Sequence, residues 1–190
     1  MVSMAEPSRL IVGISGASGV VYGVRLLQAL KKLPVETHLV MTRTAEITLA
    51  HETDIKVAAL HRIADVSYKA DDLAAAISSG SYLTLGMVVA PCSMRSLGEI
   101  ANGISSNLLT RAADVVLKEK RKLVLMVRET PLHSIHLRNM ATLSDMGAVI
   151  APPVPAFYNR PKTLDDIIDH TIGRMLDLFD LDTGKVKRWS

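Results

Sequence analysis

Short continuous apolar runs alternate along this chain with longer stretches in which apolar residues recur every three or four positions. Arg9–Ile14 (RLIVGI), Glu36–Met41 (ETHLVM), 86–90 (GMVVA), Lys122–Val127 (KLVLMV) and 148–151 are the runs. Their length and β-branched content predict five strands buried on both faces. Helical periodicity covers 20–32, 45–49, 55–63, 93–102, 107–118, 132–146 and 164–178, and 71–78 (DDLAAAIS) reads as a short helix. Pro34 ends the first helix, Pro91 stops the third strand, and 152–161, with four prolines, is a loop. Strands alternating with helices imply right-handed crossovers and an open parallel sheet with helices on both faces. No repeat or linker interrupts the pattern, so 1–190 is expected to form one domain, with 1–8 and 179–190 as terminal extensions.

In such sheets a ligand sits beyond the carboxyl ends of the strands, so chemistry is sought in the turns that follow them. After the first strand comes GISGASG (13–19), whose glycines permit a tight turn and whose helix start offers N–H groups to a phosphate. The spacing is G-x-x-G-x-x-G rather than G-x-G-x-x-G. The end of the second strand (LVMT, 39–42) also lacks the acid that would hold a dinucleotide ribose. A mononucleotide is favoured over NAD. After the third strand, Pro91-Cys92-Ser93-Met94-Arg95-Ser96 brings two hydroxyls and a guanidinium to a helix start, where Ser93 also suits an N-cap. After the fourth come Arg128 and Glu129, a charge pair that suits either a site or a local helix cap. Arg111 and Lys118, seven residues apart, share one helix face, the usual pattern of a solvated basic surface.

Composition narrows the classes. The charge is +3, and only 4% of residues are aromatic. The scattered basic residues do not form the clustered face of a nucleic-acid binder, so a small anionic ligand is expected. Cys92 is the only cysteine, which excludes an internal disulfide framework and suits a reducing compartment. No apolar run spans a bilayer and the first residues lack a signal-peptide core, so a soluble, cytoplasmic protein with no membrane role is expected.

Several blocks together resemble one family: GISGASG (13–19), THLVM (37–41), Glu52 in HETD, PCSMRSLG (91–98), LLTRAADVVLKEKRKLVLMVRETPLH (108–133) and PPVPAFYNRP (152–161). From about residue 9 to 174 the chain is similar to the flavin prenyltransferases (UbiX-like, formerly labelled aromatic acid decarboxylases). The resemblance implies a three-layer Rossmann/flavodoxin-like fold and a homododecamer with active sites at subunit contacts. It implies a metal-free transfer of the prenyl group from dimethylallyl monophosphate to reduced FMN, yielding prenylated FMN for a UbiD-type decarboxylase. Carried over by position, FMN would be bound by Gly16, Ala17, Ser18, Thr42, Ser93, Met94, Arg95, Ser96 and Arg111. The prenyl phosphate would be bound by Lys118, Arg128, Glu129, Tyr158 and Arg174. Ser18, Glu52 and Glu129 would be catalytic, Glu52 in ring closure. Thr42 stands where many members have serine and keeps the hydroxyl.

Other signals are weaker. Asp165-Asp166-Ile167-Ile168-Asp169 matches the D-D-x-x-D of metal-dependent isoprenoid synthases, but first-turn acids also suit a helix N-terminus. His133 and His136 lie one turn apart without the further ligands zinc requires. Cys92 is expected to be a small buried residue, and Trp189 either packs at a subunit contact or lies in solvent. Direct decarboxylation of an aromatic acid or peptidyl cysteine, a non-catalytic flavin-binding role and NAD(P)-dependent reduction are the competing functions.

Overall fold

The computed structural model describes residues 8–186 and 188. Six parallel strands form one sheet in the order β3-β2-β1-β4-β5-β6. These are β1 (Arg9–Ile14), β2 (Glu36–Met41), β3 (Val66–Tyr68), β4 (Gly86–Cys92), β5 (Lys122–Val127) and β6 (Val149–Ile150). The helices are α1 (Val20–Leu30), α2 (Arg43–Glu52), α3 (Val57–Ile63), α4 (Met94–Ala101), α5 (Leu108–Lys118), α6 (Ser134–Asp145) and α7 (Leu164–Asp177). The three-layer α/β architecture is the one the alternating pattern predicts. Without the short edge strand β3, the order of the remaining five is that of a flavodoxin-like sheet.

Alternation along the strands builds the two layers. Leu10, Val12 and Ile14 of β1 point to a core shared with Val24, Leu27 and Ile172. Ile11, with Met87 and Val89 of β4, points to the opposite core, filled by Leu97, Leu109, Ala113 and Val116. All of these are essentially fully buried, so truncating one of the leucines to alanine would cost about 2–5 kcal/mol.

Three expectations change. β3 is an additional strand, because three residues carry too little pattern to register in the sequence. The expected helix at 71–78 is a single 3-10 turn, Ala76–Ser78. There the buried residues are Ala75 and Ile77, a spacing of two that gives no helical stripe. β4 runs through Pro91 to Cys92, with a register shift against β5 between Val89 and Cys92. Pro91 lacks an N–H, and its carbonyl takes its hydrogen bonds from Ser15 instead.

The packing is uneven. On α6 only Leu143 is buried. Ile135, Leu137 and, in the following loop, Phe157 are each more than half exposed. Beyond α7 the chain folds back over it. Phe179 is buried, Lys185 pairs with Asp169 at 2.6 Å, and Arg188 pairs with Asp177 at 3.0 Å. Trp189 lies outside the described residues. No helix among the described residues is long and apolar enough to cross a membrane.

Candidate functional site

The order reverses at β1, which pairs with β2 on one side and β4 on the other. The turns after β1 and β4 therefore stand side by side, and Ser15 joins them. Its buried hydroxyl donates to the Pro91 carbonyl at 2.9 Å and accepts from the Ser93 N–H at 2.7 Å. The two expected halves of the flavin site, 76 residues apart, are thereby locked at one rim.

The anion-binding end differs from expectation. The first N–H groups of α1 are already taken: Gly19 and Val20 donate to one Glu52 carboxylate oxygen at 2.9 and 3.0 Å. Gly19, at φ +90°, makes the left-handed turn this clasp requires, and it has no side chain with which to cap the helix itself. A phosphate would meet a carboxylate there, so α1 does not supply the phosphate cradle that its glycine turn suggested.

Two other helix starts face one pocket. Thr42 caps α2 by accepting from the Ala45 N–H, and Ser93 caps α4 by accepting from the Ser96 N–H, each at 3.2 Å. Both line one pocket of about 250 Å³ with Arg43, Thr44, Asp71, Arg95, Ser96, Glu99, Ser106 and Asn107. Hydroxyls, two guanidiniums and two positive helix ends fit the phosphate of a mononucleotide. Gly16 lies against this wall, where an added Cβ would stand 2.3 Å from the Thr44 hydroxyl. Arg111, one turn into α5, pairs with Asp114 at 2.8 Å. Ser93 is thus the N-cap of α4 and a pocket-lining residue at once. Ser15, Arg43, Glu99, Ser106 and Asn107 were not singled out from sequence. Only their positions after strands or before helices could have signalled them.

Ser18 is exposed next to the Gly19 N–H that holds Glu52, so these two residues are brought together. Arg128 and Glu129 are exposed just past β5, whose end is tied to β4 by the Arg128 N–H donating to the Cys92 carbonyl at 3.1 Å. The Glu129 carboxylate accepts from the Thr130 N–H at 2.9 Å, and α6 is capped by His133 rather than by this charge pair.

Lys118 and Arg174 lie elsewhere. Lys118 ends α5 beside Gly80 and pairs with Glu119, at the rim where β4 and β5 begin. Arg174 pairs with Asp177 at 2.7 Å, near the end of α7 and across the sheet from α5. The Tyr158 hydroxyl meets His170 Nε2 at 3.0 Å. Burial and the charge of Arg174 lower the pKa of His170. One copy of the chain thus holds Lys118 and Arg174 on opposite faces of the sheet.

The remaining signals resolve as structure. Asp166 completes a capping box with Thr163, while Asp169 bridges Arg25 and Lys185. His133 and His136 stack at 3.5 Å between ring centroids, and among the described residues no cluster of three metal-binding groups forms. Cys92 is fully buried, and burial pushes its thiol up to about 12, too high for a nucleophile at neutral pH.

The flavoprotein family matches residues 2–183. The flavin prenyltransferase UbiX of Escherichia coli (strain K12) is 59% identical over 172 residues, covering 90% of this chain and 91% of that protein. Among solved structures, AnUbiX (PadA1) in complex with FMN and dimethylallyl pyrophosphate superposes with a TM-score of 0.96 at 50% identity. That match covers 97% of this chain and 98% of AnUbiX. A dodecameric FMN-dependent UbiX-like decarboxylase from Escherichia coli O157:H7 superposes at 0.94 with 52% identity, covering 96% and 99%. The chain belongs to the flavoprotein family, within its UbiX-like flavin prenyltransferase branch.

Proposed function

We propose that the protein joins the dimethylallyl group of dimethylallyl monophosphate to N5 and C6 of reduced FMN, and passes the prenylated FMN to a UbiD-type decarboxylase. The observation that carries this reading is the junction of Ser18 and Glu52 with the Thr42–Ser93 pocket at the β1–β4 crossover. The likeness to AnUbiX, solved with FMN and dimethylallyl pyrophosphate, supports the flavin and the dimethylallyl group.

Reduced FMN supplies N5 as nucleophile and C6 as the site of the second bond. Thr42, Ser93, Met94, Arg95, Ser96 and Arg111 hold its phosphate end, and Gly16, Ala17 and Ser18 line its path towards the turn after β1. As the allylic C–O bond breaks, its electron pair leaves with the phosphate. Lys118, Arg128 and Arg174 stabilise that charge, with the Tyr158 hydroxyl as a further donor. Glu129 exchanges a proton with the departing phosphate. A proton delivered to the prenyl double bond makes the tertiary carbon electrophilic for C6, and Glu52 accepts the proton that C6 loses as the ring closes.

Because Lys118 and Arg174 stand on opposite faces of the sheet in one copy, these residues meet between copies. The uncovered apolar side chains of α6 and the 152–161 loop supply surface for that self-association. We take the assembly to be a dodecamer like the O157:H7 relative, and its location to be the cytoplasm, as a single buried thiol suits.

The test is mass spectrometry of the flavin after anaerobic incubation with reduced FMN and the monophosphate. An adduct heavier by one five-carbon unit is expected; no adduct with either the mono- or the diphosphate ester would sink the reading. The name of the O157:H7 relative keeps decarboxylation as a second reading. Carbon dioxide release from substituted cinnamic acids by the purified protein alone would favour it.

A further inference from the structure

We propose that Glu99 is a positioning residue for the flavin phosphate, aiming Arg95 into the pocket and tying the pocket's far wall to α4. This rests on the reading of the pocket as the phosphate end of the FMN site. Three observations support it.

The first is the geometry of one carboxylate. One Glu99 oxygen accepts from Arg95 Nε at 2.8 Å and the other from the Ser106 hydroxyl at 2.6 Å. Glu99 is only 13% exposed, whereas Arg95 is 78% exposed. A solvated arginine samples many rotamers, so an anchor at Nε confines it. The outer pair of guanidinium nitrogens stays free for a bidentate contact with an anion.

The second is the loop between α4 and α5. The Glu99 carbonyl accepts from the Ile104 N–H at 2.8 Å and from the Asn102 N–H at 3.2 Å. Its side chain then holds Ser106, and Asn107, the next residue, caps α5 through a capping box with Thr110. One residue thus fixes both the cation and the opposite wall.

The third is charge balance. The pocket lining carries Arg43 and Arg95 against Asp71 and Glu99, so it has no net formal charge to attract a phosphate. Preference for the phosphate must come from aimed groups: two helix starts and one guanidinium fork. Burial alone would raise the pKa of Glu99. The Ser106 hydrogen bond and the Arg95 charge outweigh it and keep the carboxyl below its ordinary range, so the anchor stays ionised.

The experiment titrates FMN and riboflavin, by quenching of flavin fluorescence, against the full-length chain freed of flavin. Wild type, Glu99→Ala and Glu99→Gln are compared, with melting curves as a folding check. In Glu99→Ala the Kd for FMN should rise about tenfold, the scale of one charge-assisted hydrogen bond, while riboflavin binding stays within about twofold. Glu99→Gln keeps an oxygen acceptor and should recover part of the loss. Equal weakening of both ligands would reduce Glu99 to general scaffolding and overturn the proposal. Unchanged or tighter FMN binding in Glu99→Ala would also overturn it, because the carboxylate would then only repel the phosphate. A wild-type protein that binds riboflavin as well as FMN would instead overturn the phosphate reading of the pocket itself.

Discussion

The flavin-phosphate half and the prenyl-phosphate half of the proposed site are built in opposite ways. Several of the residues proposed for the first already meet within one chain. Ser15 joins two turns, Thr42 and Ser93 end their helices in the same pocket, and Glu52 reaches back to α1. The second is scattered: Lys118 on one rim, Arg128 and Glu129 on the other, Arg174 across the sheet. The contrast separates what secondary structure supplies from what assembly supplies. Strand ends and helix starts make a phosphate pocket wherever the sheet order reverses. A cluster of cations able to take up a leaving phosphate has no such local rule, and like charges repel until a ligand joins them.

The strongest way to break this contrast is complementation. Lys118→Ala and Arg174→Ala should each slow prenylation by about 30- to 1000-fold, from about 2–4 kcal/mol of lost charge stabilisation, with FMN binding kept. Mixed and allowed to exchange subunits, the two inactive proteins should regain about a quarter of wild-type activity by random assortment between copies. No recovery, with exchange verified, would place both residues in one copy's site and erase the distinction.

Glu52→Gln sharpens the first half. The variant should bind FMN and still fail to close the second ring, so a singly bonded adduct should accumulate in the mass spectrum. Full activity would remove Glu52 from the chemistry and leave it as a helix clasp. Glu52→Ala should also lose about 1 kcal/mol of stability, the usual worth of an N-terminal cap, read as a lowered urea midpoint.

Ser15→Ala leaves the Pro91 carbonyl and the Ser93 N–H without their partner. It should cost about 1–3 kcal/mol of stability and weaken FMN binding, whereas Ser15→Thr keeps the hydroxyl and should lose less. A Ser15→Ala protein with unchanged urea midpoint and FMN affinity would show that the two turns hold their places unaided.

The smallest effect concerns His170. Its folded pKa lies below the unfolded value, so the unfolded chain binds more protons in the window beneath about pH 6.5. Stability should therefore be full above that pH and fall as the solution is acidified through it. His170→Gln should flatten part of that slope in thermal melts. His38, whose pKa is likewise lowered by burial, contributes in the same direction. A slope unchanged by the substitution would detach His170 from the acid response.

The sequence reveals these halves unequally. Continuous apolar runs such as KLVLMV and the turns after them mark the sheet and the residues at its ligand edge, because burial on both faces and glycine punctuation are local signals. β3 escapes notice because three half-buried residues at an edge carry no periodicity. Ser15 and Glu99 are equally hidden. A serine in a glycine turn and a glutamate in a helix look ordinary, and their importance arises only when partners 78 and 7 residues away meet them. The glycine turn before α1 suggests a phosphate cradle for the same reason: a free helix start and one occupied by a glutamate 33 residues onward read alike.

That occupied helix start has a consequence for ligand choice. In nucleotide-binding sheets the positive end of the first helix is where a pyrophosphate bridge would rest. Here the chain's own carboxylate holds the berth, so NAD or FAD would have to displace Glu52 against its two N–H donors and the charge repulsion. A single-phosphate flavin, lodged at the neighbouring pair of helices, avoids the contest altogether.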